Sequence, residues 1–361
     1  MPPKFFNYKY GRLRLPVFFP DATRGFVKTL DFVDVENTST PGVLVNTFHL
    51  WQLLDRKVLE RPGGIRKFMS WKGAAISDSG GFQVMSVIKK GIFPGRITDE
   101  GIILNPARSK RLLFSPEESI RFQMSLGTDM VVALDDFTDP SADYEKAKES
   151  VERTVNWALR SKAEFEKICK DRKISVAKRP YLLGVVQGGE FMELRKECTK
   201  RLVEIGFDGL GWGGWPIVNG KLNFRSAEII AENSPKDYLL YGLGIGKPED
   251  IIACYKLGFT IFDCVLPTRD GRHARLYTFN SDSADKIKIT GNFYSFYDAK
   301  KEKNRTDNSK ISEYCDCVLC KKYSRAYLYH LFKVGDLTAM RLSSIHNLRF
   351  YSLLMTKLRE G

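Results

Sequence analysis

No apolar run in this sequence reaches the ~20 residues that a membrane-crossing helix needs. The opening Met1-Pro2-Pro3-Lys4 leads into mixed aromatic and basic residues without the apolar core of a secretory leader, and neither end carries an amphipathic basic helix. A soluble, cytoplasmic protein with no membrane partner is therefore expected. No Gly-x-Gly-x-x-Gly fingerprint opens the first strand-helix unit, which argues against dinucleotide binding. Acidic residues are in deficit: 43 Asp and Glu stand against 57 Lys and Arg, a net charge of +14. Long-range attraction and counterion release then favour a polyanionic partner. Cysteine is sparse at seven residues, and Cys169, Cys198, Cys254 and Cys264 are scattered, which suits structural positions rather than a disulfide framework.

What is present fits a large α/β protein. At 361 residues, 43% of them hydrophobic, the chain can bury an ample core, as one domain with an appendage or as two domains. Short apolar runs at 43–45, 74–76, 130–134, 182–186, 238–240 and 259–262 leave room for a helix between successive runs. That rhythm predicts βα units around a parallel sheet, and an open doubly wound sheet satisfies it equally. Ser115-Pro116-Glu117-Glu118 predicts a capped helix start and Gly127 its stop; further helices are expected from near Glu190 to Gly206 and from Pro248 to Gly258. Residues 144–172 read as a highly charged helix with a solvated face. From about Asn280 the rhythm fails, Ser, Lys and Asn dominate up to Lys310, and helical patterns return at 323–332 and 348–358. The expected organisation is a main body over 1–280, a small subdomain over 281–346, and a terminal helix over 347–361 that packs back on the body.

The chemistry concentrates at strand ends. Phe262-Asp263-Cys264-Val265-Leu266-Pro267-Thr268-Arg269-Asp270-Gly271-Arg272 sets a carboxylate inside an apolar run that breaks into a cationic loop. A charge there is costly unless paired or in use, and Arg269 and Arg272 suit phosphate binding. An ion pair with one of these arginines is the plainer account of that stretch alone. Similar junctions recur, however. Ser77-Asp78-Ser79-Gly80-Gly81-Phe82-Gln83 joins a carboxylate, a hydroxyl, glycines that admit close backbone approach and a ring able to stack on a planar group; an Asp-Ser turn would look the same. Leu134-Asp135-Asp136-Phe137 and Val186-Gln187-Gly188-Gly189 end two further apolar runs. In a (β/α)8 barrel such polar groups converge on one face, so Asp78, Asp135, Gln187 and Asp263 would line one pocket.

Cys315-x-Cys317-x-x-Cys320 offers three thiolates at metal-ligand spacing, and tetrahedral zinc calls for a fourth ligand. His330 and His346 both lie downstream, and spacing does not choose between them. With no evident open coordination position, a structural zinc is expected rather than a catalytic one.

Taken together, Ser77 to Gln83, Ser115 to Gln123, Gly184 to Gly189, Ile205 to Gly214, Gly242 to Asp250, Phe262 to Arg272 and Cys315 to Cys320 with Ile345-His346-Asn347 resemble the tRNA-guanine transglycosylase (queuine tRNA-ribosyltransferase) family, in its order and over nearly the whole length. The resemblance implies a (β/α)8 TIM barrel with a small zinc-binding subdomain near the C-terminus. It implies a base exchange in which guanine at the wobble position of a tRNA anticodon is replaced by a 7-deazaguanine, queuine or its 7-aminomethyl precursor, by retaining glycosyl transfer. Asp263 would be the nucleophile and Asp78 the proton shuttle. Asp135 would accept hydrogen bonds from the base, while Gln187 and the Gly214 N–H would address its six-position oxygen. Phe82 and Leu243 would sandwich the ring, Ser79 would assist, and Arg269 and Arg272 would hold phosphates. His346 would complete the zinc site with Cys315, Cys317 and Cys320, one ion per chain, leaving His330 to helix packing. A homodimer is implied too.

Two segments depart from the family pattern. Trp215-Pro216-Ile217-Val218-Asn219 stands where bacterial members carry a small aliphatic pair and then a glutamate, in the segment that senses the seven-position substituent. Pro216 has no N–H to offer and Trp215 is bulky. Near the start, Phe19-Pro20-Asp21-Ala22-Thr23 replaces a Pro-Val-Gly-Thr turn, and Asp21 beside a ribose pocket is unexpected. Alternatives to the main reading are a non-catalytic tRNA-binding subunit, against which both reactive carboxylates argue, and base exchange at another tRNA or DNA position with a different deazapurine.

Overall fold

The computed structural model describes residues 2–59, 63–89, 91, 94–105, 112–218, 221–281, 283 and 286–360. Eight parallel strands form one sheet in which each pairs with its neighbours in chain order: β1 (Val17–Pro20), β2 (Gly42–Val45), β3 (Ala74–Ser77), β4 (Met130–Val132), β5 (Tyr181–Val186), β6 (Gly209–Trp212), β7 (Leu239–Gly242) and β8 (Phe259–Cys264). β8 then pairs with β1, with Asp263 opposite Phe19. The last seam, β1 to β2, is a single bridge between Asp21 and Leu44, supported by the Ala22 N–H donating to the Leu44 carbonyl at 2.7 Å. The molecule is a (β/α)8 TIM barrel, and the open doubly wound alternative is excluded.

The strands read as continuous apolar runs because both faces are buried. Alternate residues fill the lumen: Val17, Phe19, Leu44, Ile76, Val132, Leu183, Val185 and Ile261 pack together, with Phe6 of the Phe5–Tyr8 hairpin strand closing the bottom. Their neighbours Phe18, Val131, Leu182, Leu210, Leu240 and Phe262 point outward into the helical layer. β1 and β6 escape the apolar rhythm. β1 ends in proline, and β6 reads Gly-Leu-Gly-Trp, two glycines being poor strand formers. They are glycines by necessity: a Cβ on Gly209 would strike the Leu239 carbonyl of the next strand, and one on Gly211 would meet the Leu243 side chain at 2.7 Å.

The expected helices form at Pro116–Leu126, Met192–Ile205 and Pro248–Lys256. Ser115 Oγ accepts the Glu118 N–H, and Gly127 turns left-handed at φ 67° to end the first. The charged helix Tyr144–Asp171 is more than a solvated face, since Ala147, Val151, Val155, Ala158 and Phe165 make a buried stripe along it.

Beyond the barrel, Arg275–Phe279 pairs antiparallel with Tyr294–Asp298, a ribbon that crosses the compositional boundary at residue 280. The terminal helix runs Leu337–Glu360, longer than the 348–358 pattern indicates, so residues 346 and 347 lie inside it. Asn347 ties this helix down: its carbonyl oxygen accepts the Tyr277 N–H at 3.0 Å, and its amide donates to the carbonyls of Pro267 and Arg275 at 2.9 and 3.0 Å.

Candidate active site

The carboxyl ends of the strands open onto a cavity of about 500 Å3. Asp21, Asp78, Asp135 and Asp263 all line it, reaching in from the ends of β1, β3, β4 and β8. Asp263 Oδ1 accepts the Tyr241 hydroxyl at 2.6 Å and the Gly244 N–H at 3.0 Å. Burial pushes its pKa up to about 6 against those two hydrogen bonds. Asp78 is held on both oxygens, Oδ2 by the Asn46 amide at 2.6 Å and Oδ1 by the backbone N–H groups of Thr47 at 2.9 Å and Gly80 at 3.1 Å. Burial, with a smaller push from the Asp263 charge, still raises it to about 7. Gly80 permits this turn at φ 80°, where a Cβ would meet Phe48 at 2.8 Å.

Across the mouth, Asp135 Oδ1 accepts from Ser79 Oγ at 3.1 Å and Oδ2 from Gln187 Nε2 at 2.6 Å, and burial lifts it to about 6. Its neighbour Asp136 turns outward to an ion pair with Arg153 at 2.5 Å, so only one of the paired aspartates faces the cavity. Gln187 is fully buried behind Asp135, with Oε1 accepting the Thr138 N–H at 3.2 Å, and it is not on the cavity surface. Phe82, Gly214 and Leu243 are on that surface, as are Trp215, Pro216 and Ile217. Phe82 packs edge-on against Phe137 at 5.0 Å and faces Trp215 at 6.4 Å with their planes 31° apart. Trp215 is 50% exposed, so it is a wall of the mouth and not core. Arg269 reaches the cavity from the helix Leu266–Arg272; Arg272 is set back, half-buried, and its Nη1 has no hydrogen-bond partner among the described residues.

A family profile described as queuine tRNA-ribosyltransferase matches residues 5–361. Over 348 residues the chain is 38% identical to the queuine tRNA-ribosyltransferase of Haemophilus influenzae, covering 96% of this chain and 84% of that protein. It is 37% identical over 351 residues to that of Actinobacillus succinogenes (97% and 86% covered) and 38% over 354 residues to that of Shewanella putrefaciens (97% and 87% covered). The chain belongs to the queuine tRNA-ribosyltransferase family. It is accordingly an enzyme of the pentosyltransferase class.

The family match runs through the appendage, where Cys315, Cys317, Cys320 and His346 meet in a buried group with all ligand atoms within 4.8 Å of one another. The three Sγ atoms stand 3.7, 3.6 and 3.3 Å from His346 Nδ1. Tetrahedral bonds of about 2.3 Å to sulfur and about 2.0 Å to nitrogen place ligand atoms roughly 3.5–3.8 Å apart, so the group fits a metal ion. His346 Nε2 donates to the Tyr277 carbonyl at 2.9 Å, which leaves Nδ1 for the metal. His330 is exposed on the helix Arg325–Val334, outside the cluster; it does not serve helix packing, because its neighbours Leu328, Tyr329 and Leu331 take the buried side.

In this member of the family, residues that the sequence reading did not single out complete the site. Tyr241 and Asn46 hold the carboxylates of Asp263 and Asp78; the only signal for Tyr241 is a tyrosine at a lumen position of an apolar strand, and for Asn46 a polar residue just after β2. Asp21, left without a role, lines the cavity. Asn219, in the departing segment, lies outside the described residues.

Proposed function

We propose that the protein exchanges guanine at the wobble position of a tRNA anticodon for a 7-deazaguanine base, queuine or its 7-aminomethyl precursor, by double displacement on Asp263. The observation that carries this reading is the placement of Asp263, Asp78 and Asp135 in one cavity. An Asp263 oxygen attacks C1′ as the bond from C1′ to the base nitrogen breaks, and guanine leaves with a proton from Asp78. The incoming base returns its ring N–H proton to Asp78, attacks C1′ and displaces Asp263. Two inversions give net retention and no net proton change. Burial raises both carboxylates, and the Asp263 charge adds to the rise at Asp78, the direction that suits a proton carrier beside an ionised partner.

Asp135 accepts from the N1 and exocyclic amine edge of the base, taking over from the Gln187 amide, which turns with the Gly214 N–H to the six-position oxygen. Phe82 and Leu243 sandwich the ring, and Ser79 orients Asp135. Arg269 and Arg272 hold flanking phosphates, Arg269 from the wall of the cavity. Swinging the nucleotide out of an anticodon loop costs only a few kcal/mol. The metal is a structural zinc held by Cys315, Cys317, Cys320 and His346. The enzyme acts in the cytoplasm as a homodimer, and residues 1–280, 281–346 and 347–361 serve as catalytic body, zinc subdomain and returning helix. Incubation with labelled guanine and a guanosine-wobble tRNA tests the proposal: incorporation is expected, and Asp263→Ala abolishes it. An intact protein that incorporates nothing across candidate tRNAs overturns it.

A further inference from the structure

Asp21 is a carboxylate at the mouth that the exchange reaction above does not use. Its Oδ1 accepts the Thr23 N–H at 2.9 Å and the Thr23 hydroxyl, while Oδ2 accepts nothing among the described residues. Burial raises its pKa, opposed first by the two Thr23 hydrogen bonds and then by the more distant charges of His49 and Arg272. The turn at Thr23 therefore occupies one oxygen and leaves the other available to the cavity.

Its position around the rim says what that oxygen meets. In barrel order the strand ends carry Asp263 on β8, Asp21 after β1, Asn46 after β2, Asp78 after β3, Asp135 after β4 with Gln187 after β5 buried behind it, Gly214 after β6 and Leu243 after β7. If the base lies toward the β4 to β7 arc and its C1′ at Asp263, the sugar has the β8 to β2 arc, and Asp21 is the carboxylate of that arc beside the nucleophile. In a polynucleotide the 3′ and 5′ oxygens are esterified, so the 2′-hydroxyl is the ribose ring's remaining hydrogen-bond donor. It is one carbon away from the reacting C1′.

We infer that Asp21 is a specificity-determining residue that accepts a hydrogen bond from the 2′-hydroxyl of the ribose under attack, so that the enzyme selects RNA over DNA at the exchanged nucleotide. This rests on the exchange reaction proposed above. A hydrogen bond to the 2-hydroxyl that strengthens as the sugar flattens toward an oxocarbenium ion contributes to rate as well as to binding, and the 2′-hydroxyl is what separates RNA from DNA. A charge-assisted bond of this kind is worth roughly tenfold to a hundredfold in kcat/KM.

The test measures labelled-guanine exchange on two anticodon stem-loop RNAs that differ only in carrying guanosine or 2′-deoxyguanosine at the wobble position. The intact enzyme should lose roughly tenfold to a hundredfold on the deoxy substrate. Asp21→Asn keeps an oxygen for Thr23 and puts an uncharged NH2 on the cavity side, and Asp21→Ala removes both. Each should lose a comparable factor on the ribo substrate and show little further loss on the deoxy one, with circular dichroism confirming the fold. A deoxy penalty that persists undiminished in the folded Asp21→Asn enzyme overturns the role of Asp21 alone. No exchange by the intact protein on the ribo stem-loop or on full-length tRNA overturns the underlying reaction and the inference with it.

Discussion

The Tyr241 hydroxyl donates to Asp263 Oδ1 across 2.6 Å, and the Gly244 N–H shares the same oxygen, so Oδ2 is left to face the cavity. One oxygen anchors the carboxylate, and in the proposed exchange the other is the one that attacks. Hydrogen bonds to a carboxylate favour its charged form. In Tyr241→Phe the Asp263 pKa therefore rises further, and the acid limb of kcat/KM moves to higher pH. At neutral pH the expected loss is about tenfold. A pH profile of the variant that superimposes on that of the intact enzyme contradicts this role for Tyr241.

Burial holds Asp263 at about 6, above the ordinary 3.8 of an aspartate. The folded state thus binds its proton more tightly than the unfolded chain does. The associated stability is full below the unfolded value and is lost as pH rises through about 6. Asp263→Asn keeps an acceptor for Tyr241 and Gly244 and removes the buried charge. It should be inactive yet more stable than the parent at pH 8, by about 1–3 kcal/mol, with the advantage shrinking toward pH 4. Urea unfolding of both proteins across that range reads the difference, and an advantage that grows on acidification refutes it.

The reading from sequence succeeded where chemistry interrupts apolar strands. Asp78, Asp135 and Asp263 each follow or end such a run, and all three reach one cavity. It failed where tertiary contact overrides local preference. β6 is glycine-rich because Leu239 and Leu243 crowd it, a fact visible only once β7 is alongside. Tyr241 looks like one more lumen residue until its hydroxyl is seen on Asp263. Gln187 was expected at the cavity surface from its place at a strand end, but the buried pair it makes with Asp135 depends on a side-chain torsion that spacing does not encode.

Trp215 and Phe82 stand on either side of the mouth, with ring centroids 6.4 Å apart. Trp215→Leu, which restores an aliphatic wall, should change the order in which 7-substituted deazaguanines compete with labelled guanine. Guanine itself carries no seven-position substituent, so its exchange should change less than that of the substituted bases. Competition curves for queuine and its aminomethyl and cyano precursors, on both proteins, provide the measurement. An unchanged order removes Trp215 from specificity.

Asn347, next to His346, holds the Pro267 carbonyl just after the strand that carries Asp263. In zinc-loaded protein, a chelator or Cys317→Ser should lower the melting temperature and raise hydrogen exchange over 286–360 first. Replacing zinc with cobalt should restore stability and give the absorption bands of a tetrahedral thiolate site, with the exchange rate unchanged. Metal analysis alongside the assay decides the matter, and a rate that follows metal identity is incompatible with a structural role.

The seam of the barrel also dictates an order of assembly. β1 is the first barrel strand to leave the ribosome, yet its continuous ladder is with β8, the last, while its link to β2 is one bridge at Asp21. Until β8 emerges, Phe18 and Phe19 lack the strand that pairs beside them, and Asp263 lacks its place at the rim. A nascent chain halted just before β8 therefore has an open ring with β1 unpaired on that side, and the cavity takes its full lining only when the barrel closes.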